Sequence, residues 1–495
     1  MQAIGLRTEI EQETGAATSR TAVTYPSAGD TAGPRGTFAL TILAIYVYLL
    51  VSRVLDVSPI WFLHIPLLLL IVLTIILLAR GGVQELFSLK IVKWFAACTV
   101  WVIVASVFSM WRGASLNYVQ TSVEGFAVFL IVLQIPRTRQ EWQKLAGAYA
   151  YATLTASILS FYLARSVAGR LALDNGSFAD PNEFALILAV GLPFWWLKAS
   201  RATGFRKALF FLCTIPILIA FARTGSRAGL LCLATIFVVV LFFASMTQRM
   251  LMCVFALAMV VLGAMFLPSY LKMRFTTFFQ SDNISSLDAK TQFKIEADLS
   301  STAAREQLLR QGIRISLQHP LLGVGPGVFA YVAWDQRKAE TGVGGWAQVN
   351  HNTYLQMSSE TGIPGLIFFA GTVFLCIRYT LADYRRLIKS KPELATIHLY
   401  LFTTLTSLAV GIFFLSEGYS NMLAIMFALA AGLHRIAEAR QEEGVLESPV
   451  PAQTRSGMAP IMPRAAAPAR APKRSPFRFG RRRVSAQNSP SRLLD

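Results

Sequence analysis

Apolar runs of about twenty residues recur along this 495-residue chain, each closed off by a polar or basic stretch. A helix rising 1.5 Å per residue needs about that length to cross the hydrocarbon of a bilayer. Read in order, the runs predict spans at about 36–53, 59–79, 92–111, 119–135 and 145–164. After a polar loop from Arg165 to Pro181 come about 183–199, 205–222, 228–245 and 249–268. Three more follow at about 363–381, 395–416 and 419–436. The expected fold is all-α and polytopic, with about 12 transmembrane helices. Between the ninth and tenth runs lies one long, mostly polar interval. The chain divides into an N-tail (1–35), nine spans (36–268), a large loop (269–361), three spans (362–440) and a C-tail (441–495).

Composition supports this reading. Only 15% of residues are charged and 54% are hydrophobic, whereas a soluble domain carries about 25% charged residues. The N-tail is rich in Thr, Ala, Gly and Ser, and the C-tail in Pro, Ala, Arg and Ser. Neither composition can bury a core, and both tails are expected to be disordered. The first 35 residues lack an apolar h-region, so no cleavable signal is expected and the first span serves as the insertion signal. The five cysteines lie inside apolar runs without CxxC spacing. They read as small buried hydrophobes rather than disulfides or zinc ligands.

The net charge of +19 is unevenly placed. Lys and Arg concentrate in the tails and after even-numbered spans, as at Arg80, Lys90 and Lys93, or Arg385, Arg386, Lys389 and Lys391. This alternation argues for membrane topology and against nucleic acid as a partner. The positive-inside rule puts both tails in the cytoplasm and residues 269–361 on the outer side. Arg481, Arg482 and Arg483 would draw the C-tail to anionic membrane lipids, at roughly 1 kcal/mol per residue. A plain solvated tail is the alternative.

Candidate chemistry gathers in and around the long loop. Of five histidines, His64, His398 and His434 lie in or at the ends of spans and read as structural, and His319 precedes Pro320 in a turn. His351 lies between Asn350 and Asn352, just before the apolar pattern resumes. Those amides can orient the ring, and a neutral imidazole is the commonest general base. A structural role stays open for it as well. Arg223 and Arg227 lie where the chain reverses between two spans, and Arg305 lies in the loop. A guanidinium fork suits phosphate oxygens; snorkelling to head groups, or a solvated helix face, is the alternative. Residues 302–318, with Leu309, Ile313 and Leu317, predict an amphipathic helix lying on the membrane. Gly323, Gly325 and Gly327 match neither phosphate-loop pattern and predict a tight re-entrant turn. Asn182 either caps the sixth span or lines the site above it. The outer carboxylates show neither DxD nor metal-ligand spacing, so no metal and no cofactor is expected.

The chain resembles the O-antigen ligase and polymerase superfamily of bacterial envelope enzymes. The likeness rests on Asp180-Pro181-Asn182, on Thr224-Gly225-Ser226-Arg227, and on Arg305 ahead of the run from His319 to Gly325. It rests most on His351-Asn352-Thr353-Tyr354-Leu355, followed by Glu360-Thr361-Gly362-Ile363-Pro364-Gly365. The tails show no likeness. The resemblance implies a GT-C-like membrane glycosyltransferase in the inner (cytoplasmic) membrane, with its active site facing the periplasm. It implies a glycan donor on undecaprenyl diphosphate and, as acceptor, a hydroxyl of lipid A–core, of a second glycan, or of a protein. His351 corresponds to the family's essential histidine, and Arg227 and Arg305 to its diphosphate-binding arginines. Arg223 is a further candidate for the diphosphate, while Asn182, Asn350, Asn352 and Tyr354 would line the site. A transporter or flippase of lipid-linked saccharides would also suit the span count, but no internal repeat is visible.

Overall fold

The computed structural model describes residues 34–167, 170–173, 180–266, 289–342 and 347–446. The expectations for most of both tails, and for residues 267–288 and 343–346, fall outside the described residues. The first helices are α1 (Pro34–Ser52), α2 (Ile65–Arg80), α3 (Lys90–Val107), α4 (Arg112–Gln134) and α5 (Arg139–Leu163). A hairpin of β1 (Ala164–Val167) and β2 (Arg170–Leu173) leads to α6 (Pro181–Arg201), α7 (Gly204–Thr224), α8 (Arg227–Phe243) and α9 (Met246–Phe266). After them come α10 (Ala289–Gln318), α11 (Phe329–Thr341), α12 (Thr353–Leu387), α13 (Pro392–Gly411) and α14 (Asn421–Leu446).

Each of the expected spans falls on a helix. Among the described residues, eight helical stretches are long and apolar enough to cross a membrane: Trp61–Arg80, Lys90–Val107, Arg112–Gln134, Pro181–Arg201, Gly204–Thr224, Thr353–Leu387, Pro392–Phe414 and Asn421–Ala439. Gly36–Ser52, Arg227–Phe243 and Met246–Ala258 are apolar but shorter. Helix α5 is long and comparatively polar. It packs on α1, α6 and α7 and buries Trp142, Tyr149, Thr153 and Ser157. Contact with protein replaces contact with lipid there, so its sequence need not be uniformly apolar. The centre of the molecule is α12, packed on α3, α10 and α13, with α13 in turn packed on α6 and α8.

The structure corrects several expectations. The all-α class holds, with one short hairpin that was not expected: β1 and β2 pair antiparallel, with Ala164 opposite Leu173 and Val167 opposite Arg170. Four-residue strands leave too little alternation to stand out beside long helices. The loop helix is longer than expected, and one face of it packs on protein. Leu308, Gln311, Gly312, Ile315 and Ser316 are buried, and α10 packs on α12, while Leu309, Ile313 and Leu317 stay exposed. Helix α12 starts at Thr353, ten residues before the expected span, because these first residues are protein-facing and partly polar. Helix α14 runs on to Leu446, into the expected tail. Cys253 is exposed rather than buried, since α9 carries mostly exposed positions.

Candidate active site

His351 owes its position to the cap of α12. A helix start leaves backbone N–H groups without intrahelical acceptors, and an Asn side chain can take one. Asn352 does so, accepting from the Leu355 N–H at 3.0 Å. The preceding His351 adopts φ +51°, a region few non-glycine residues enter. Its backbone is tied down: the His351 N–H donates to the Ser416 hydroxyl at 2.9 Å. Next door, the Thr353 hydroxyl donates to the Leu415 carbonyl at 2.7 Å and accepts from the Glu417 N–H at 2.9 Å. The turn between α13 and α14 therefore carries the strained residue.

His351 lines a cleft of about 560 Å³ with Ala304, Arg305, Leu308, Gln348 and Val349. The predicted base and one predicted diphosphate ligand thus share one cavity. Burial lowers the pKa of His351 below the ordinary 6.5, the Arg305 charge lowers it further, and Asp180 opposes both. The imidazole is neutral at neutral pH and can accept a proton. Glu417, in the supporting turn, is held above the usual carboxylate range, chiefly by burial.

A second cluster orders the Arg227 turn. Asp180 caps α6, its carboxylate accepting from the Asn182 backbone N–H at 2.6 Å and from Asn182 Nδ2 at 2.9 Å. The buried Asn182 Oδ1 accepts from the Ser226 hydroxyl and from Arg170 Nη2, each at 2.8 Å. Arg170 Nε also donates to the Thr224 carbonyl at 2.8 Å. Ser226 in turn caps α8, accepting from the Gly229 N–H at 3.1 Å. Gly225 supplies the φ of +57° that ends α7. Arg227 is the first residue of α8, at the helix end that attracts anions.

Other predicted site residues have different duties. Asn182 is not the cap of α6, which is Asp180; it is the acceptor joining α6, β2 and the Arg227 turn. Asn352 is committed to the cap, and Asn350 is buried with its Nδ2 3.4 Å from the Ser359 hydroxyl. Tyr354 is not among the residues that line the cleft: its hydroxyl donates to the Ala409 carbonyl at 3.1 Å and its ring packs on Phe369 and Phe413. Arg223 is exposed and lies 5.8 Å from the centre of the Phe161 ring, outside the cleft lining. Sequence reasoning passed over Arg170 and Ser416. The only sequence signal for either was an arginine in a short polar loop and a serine between two apolar runs.

The glycine-rich run makes the re-entrant turn expected of it. Gly362 takes φ 75°, ψ 179° inside α12, so the helix kinks and frees backbone carbonyls. The Val324 N–H donates to Ser359 O at 2.9 Å and the Gly325 N–H to Glu360 O at 3.0 Å. Trp101 Nε1 donates to Thr361 O at 2.8 Å, and the Ile363 N–H to Pro320 O at 2.7 Å. A Cβ at Gly323 would lie 2.3 Å from the Glu360 carbonyl carbon, and one at Gly362 would lie 2.2 Å from Leu321 O. These glycines serve close backbone docking.

Comparison with known proteins adds a family match over part of the chain. Residues 208–370 match the family described as O-Antigen ligase. The match runs from within α7, through the Arg227 turn, Arg305 and His351, to just past the Gly362 kink. No curated protein sequence matches the chain.

Proposed function

We propose, from the match of residues 208–370 to the family described as O-Antigen ligase, that the chain acts as a member of the O-antigen ligase and polymerase superfamily and transfers a glycan from undecaprenyl diphosphate to a hydroxyl acceptor. The family match and the apolar helices support a membrane glycosyltransferase of this kind. The finer reading has twelve crossings in the bacterial inner membrane, both tails in the cytoplasm, and the His351 cleft open to the periplasm. The observation that carries it is the shared cleft of His351 and Arg305, in which burial and the arginine keep the imidazole neutral.

In this reading a ring nitrogen of His351 takes the acceptor hydroxyl proton as the acceptor oxygen attacks the anomeric carbon. The bond from that carbon to the diphosphate oxygen breaks, and the lipid diphosphate leaves with the electron pair. Inversion at the anomeric carbon follows from direct displacement. One positioned base contributes roughly 10²–10⁴ in rate. Arg305 and Arg227 hold the diphosphate charge as it develops, where fixed donors outperform water. The diphosphate needs little protonation, so the residues supply a base and two cations. Among the described residues, no three His, Cys, Asp or Glu side chains gather as a metal site would. We expect transfer to persist in EDTA; complete loss that Mg²⁺ restores would refute metal independence.

The test is purified protein with a polyprenyl-diphosphate glycan donor, reading both glycan product and released lipid diphosphate. Transfer by the native chain and none by a folded His351→Ala variant is the expected result. Equal transfer by both would sink the assignment of the base. Deleting the gene in its host separates the acceptors: bare lipid A–core with polymer left on its carrier indicates a ligase. Single-repeat products indicate a polymerase, and an altered glycoprotein indicates a protein acceptor.

A further inference from the structure

Glu360 is buried at 4% exposure, on the second turn of α12 beyond His351. Its carboxylate Oε2 accepts from the Gly327 N–H and from the Tyr419 hydroxyl, each at 2.9 Å. The Gln356 side chain and the Phe329 N–H also lie close to this carboxyl. A buried carboxylate is costly unless donors surround it, and here they do. Those donors come from three separate places. Gly327 and Phe329 belong to the re-entrant turn and to the start of α11, downstream of the helix that bears Arg305. Gln356 is on α12 itself, and its Oε1 also accepts from the Gly418 N–H at 3.1 Å. Tyr419 belongs to the turn whose Ser416 holds the His351 backbone. The ring of Tyr419 is fixed edge-on to Tyr118, 5.0 Å between centres, and Tyr118 also walls off Gly327.

We propose that Glu360 is a positioning residue for the transfer reaction: through Gly327 on one side and Tyr419 on the other, it fixes the supports of Arg305 and His351 relative to each other. The assignment of roles to Arg305 and His351 rests on the function proposed above. Glu360 itself does not line the cleft. Its influence is geometric, and a misplacement of about 1 Å in such a pair costs roughly 100-fold in rate. The Gly327 arm alone would make Glu360 part of the fold. The Tyr419 arm leads to the turn under the reacting residue, and that is the arm to test.

Tyr419→Phe removes one hydroxyl and keeps the ring against Tyr118. Glu360→Gln keeps the shape and one acceptor oxygen. Both would be compared with the native chain in two ways. The first is transfer, with turnover and donor KM separated. The second is the pH dependence of diethyl pyrocarbonate modification at His351, followed by peptide mass spectrometry. The exposed His64, far along the chain, is the internal control. The expected result for Tyr419→Phe is a fall in turnover of roughly 10- to 100-fold with little change in KM. The His351 modification profile should shift while that of His64 does not. Folded variants with unchanged His351 reactivity would overturn the proposal, whether or not transfer falls, because a structural role elsewhere would leave that profile in place. If the native chain transfers nothing but His351 reactivity still shifts, the function reading fails and the positioning role stands.

Discussion

The His351 N–H donates to the Ser416 hydroxyl at 2.9 Å, so the proposed base hangs from a turn that lies between the last two long helices. That bond holds a non-glycine residue at φ +51°. His351→Ala is expected to lower transfer by roughly 10²–10⁴ with expression intact. Ser416→Ala removes the support and leaves the imidazole, and a drop of roughly tenfold in turnover is expected. Steady-state kinetics on detergent-purified variants check both; equal rates in Ser416→Ala would show that the strained backbone holds itself.

The pH profile carries a sign. The reactive form is neutral imidazole, and burial followed by the Arg305 charge lowers its pKa below 6.5. Activity should therefore be flat above about pH 6.5 and fall only as pH drops through the lowered value. Arg305→Ala removes one of the two causes. The acid limb of the residual activity should move up toward 6.5, which a rate–pH series would register. A limb that stays in place would mean that Arg305 does not act on His351.

The three arginines should separate. Arg305 lines the cleft and Arg227 opens α8 directly after Ser226, which bonds Asn182, whereas Arg223 is exposed beside Phe161. Arg305→Ala and Arg227→Ala are each expected to cost about 10²–10³ in transfer, as removal of a transition-state donor does. Arg223→Ala should stay within a few-fold of the native rate. Initial rates over a range of donor concentrations would decide, and an Arg223 effect as large as that of Arg305 would return it to the site.

Gly362→Ala tests the kink. The backbone at φ 75°, ψ 179° is a region essentially reserved for glycine, and the added Cβ would meet Leu321 O at 2.2 Å. The backbone term alone is about 1–3 kcal/mol, and the clash adds to it. A clear fall in the melting temperature of the purified variant is expected; an unchanged one would mean that the loop can step aside.

The sequence made the spans readable because lipid demands unbroken apolar helices. His351 and Arg305 stood out as polar groups in a long loop with motifs that resemble a family. Side-chain duties were harder, since they depend on which distant group comes near. Asn352 and Tyr354 flank the same motif, yet one caps a helix and the other anchors to the Ala409 carbonyl. Asn182 shares its oxygen with Ser226, 44 positions away, and with Arg170 of a hairpin that no periodicity betrayed. Glu360 stood inside a motif but carried no role of its own, because its partners lie 33 and 59 positions away. The extra turns of α12 escaped notice because protein rather than lipid surrounds them.

The docking of the glycine run onto the kink is made largely by backbone atoms, and this dictates where chain length can vary. Substitutions at many positions leave those pairings intact, but a single inserted or deleted residue between 319 and 327, or between 359 and 363, slides every donor off its acceptor at once. Chains built on the same plan should therefore hold these two stretches at fixed length. Their gaps and additions should accumulate elsewhere, for example in the interval before α10.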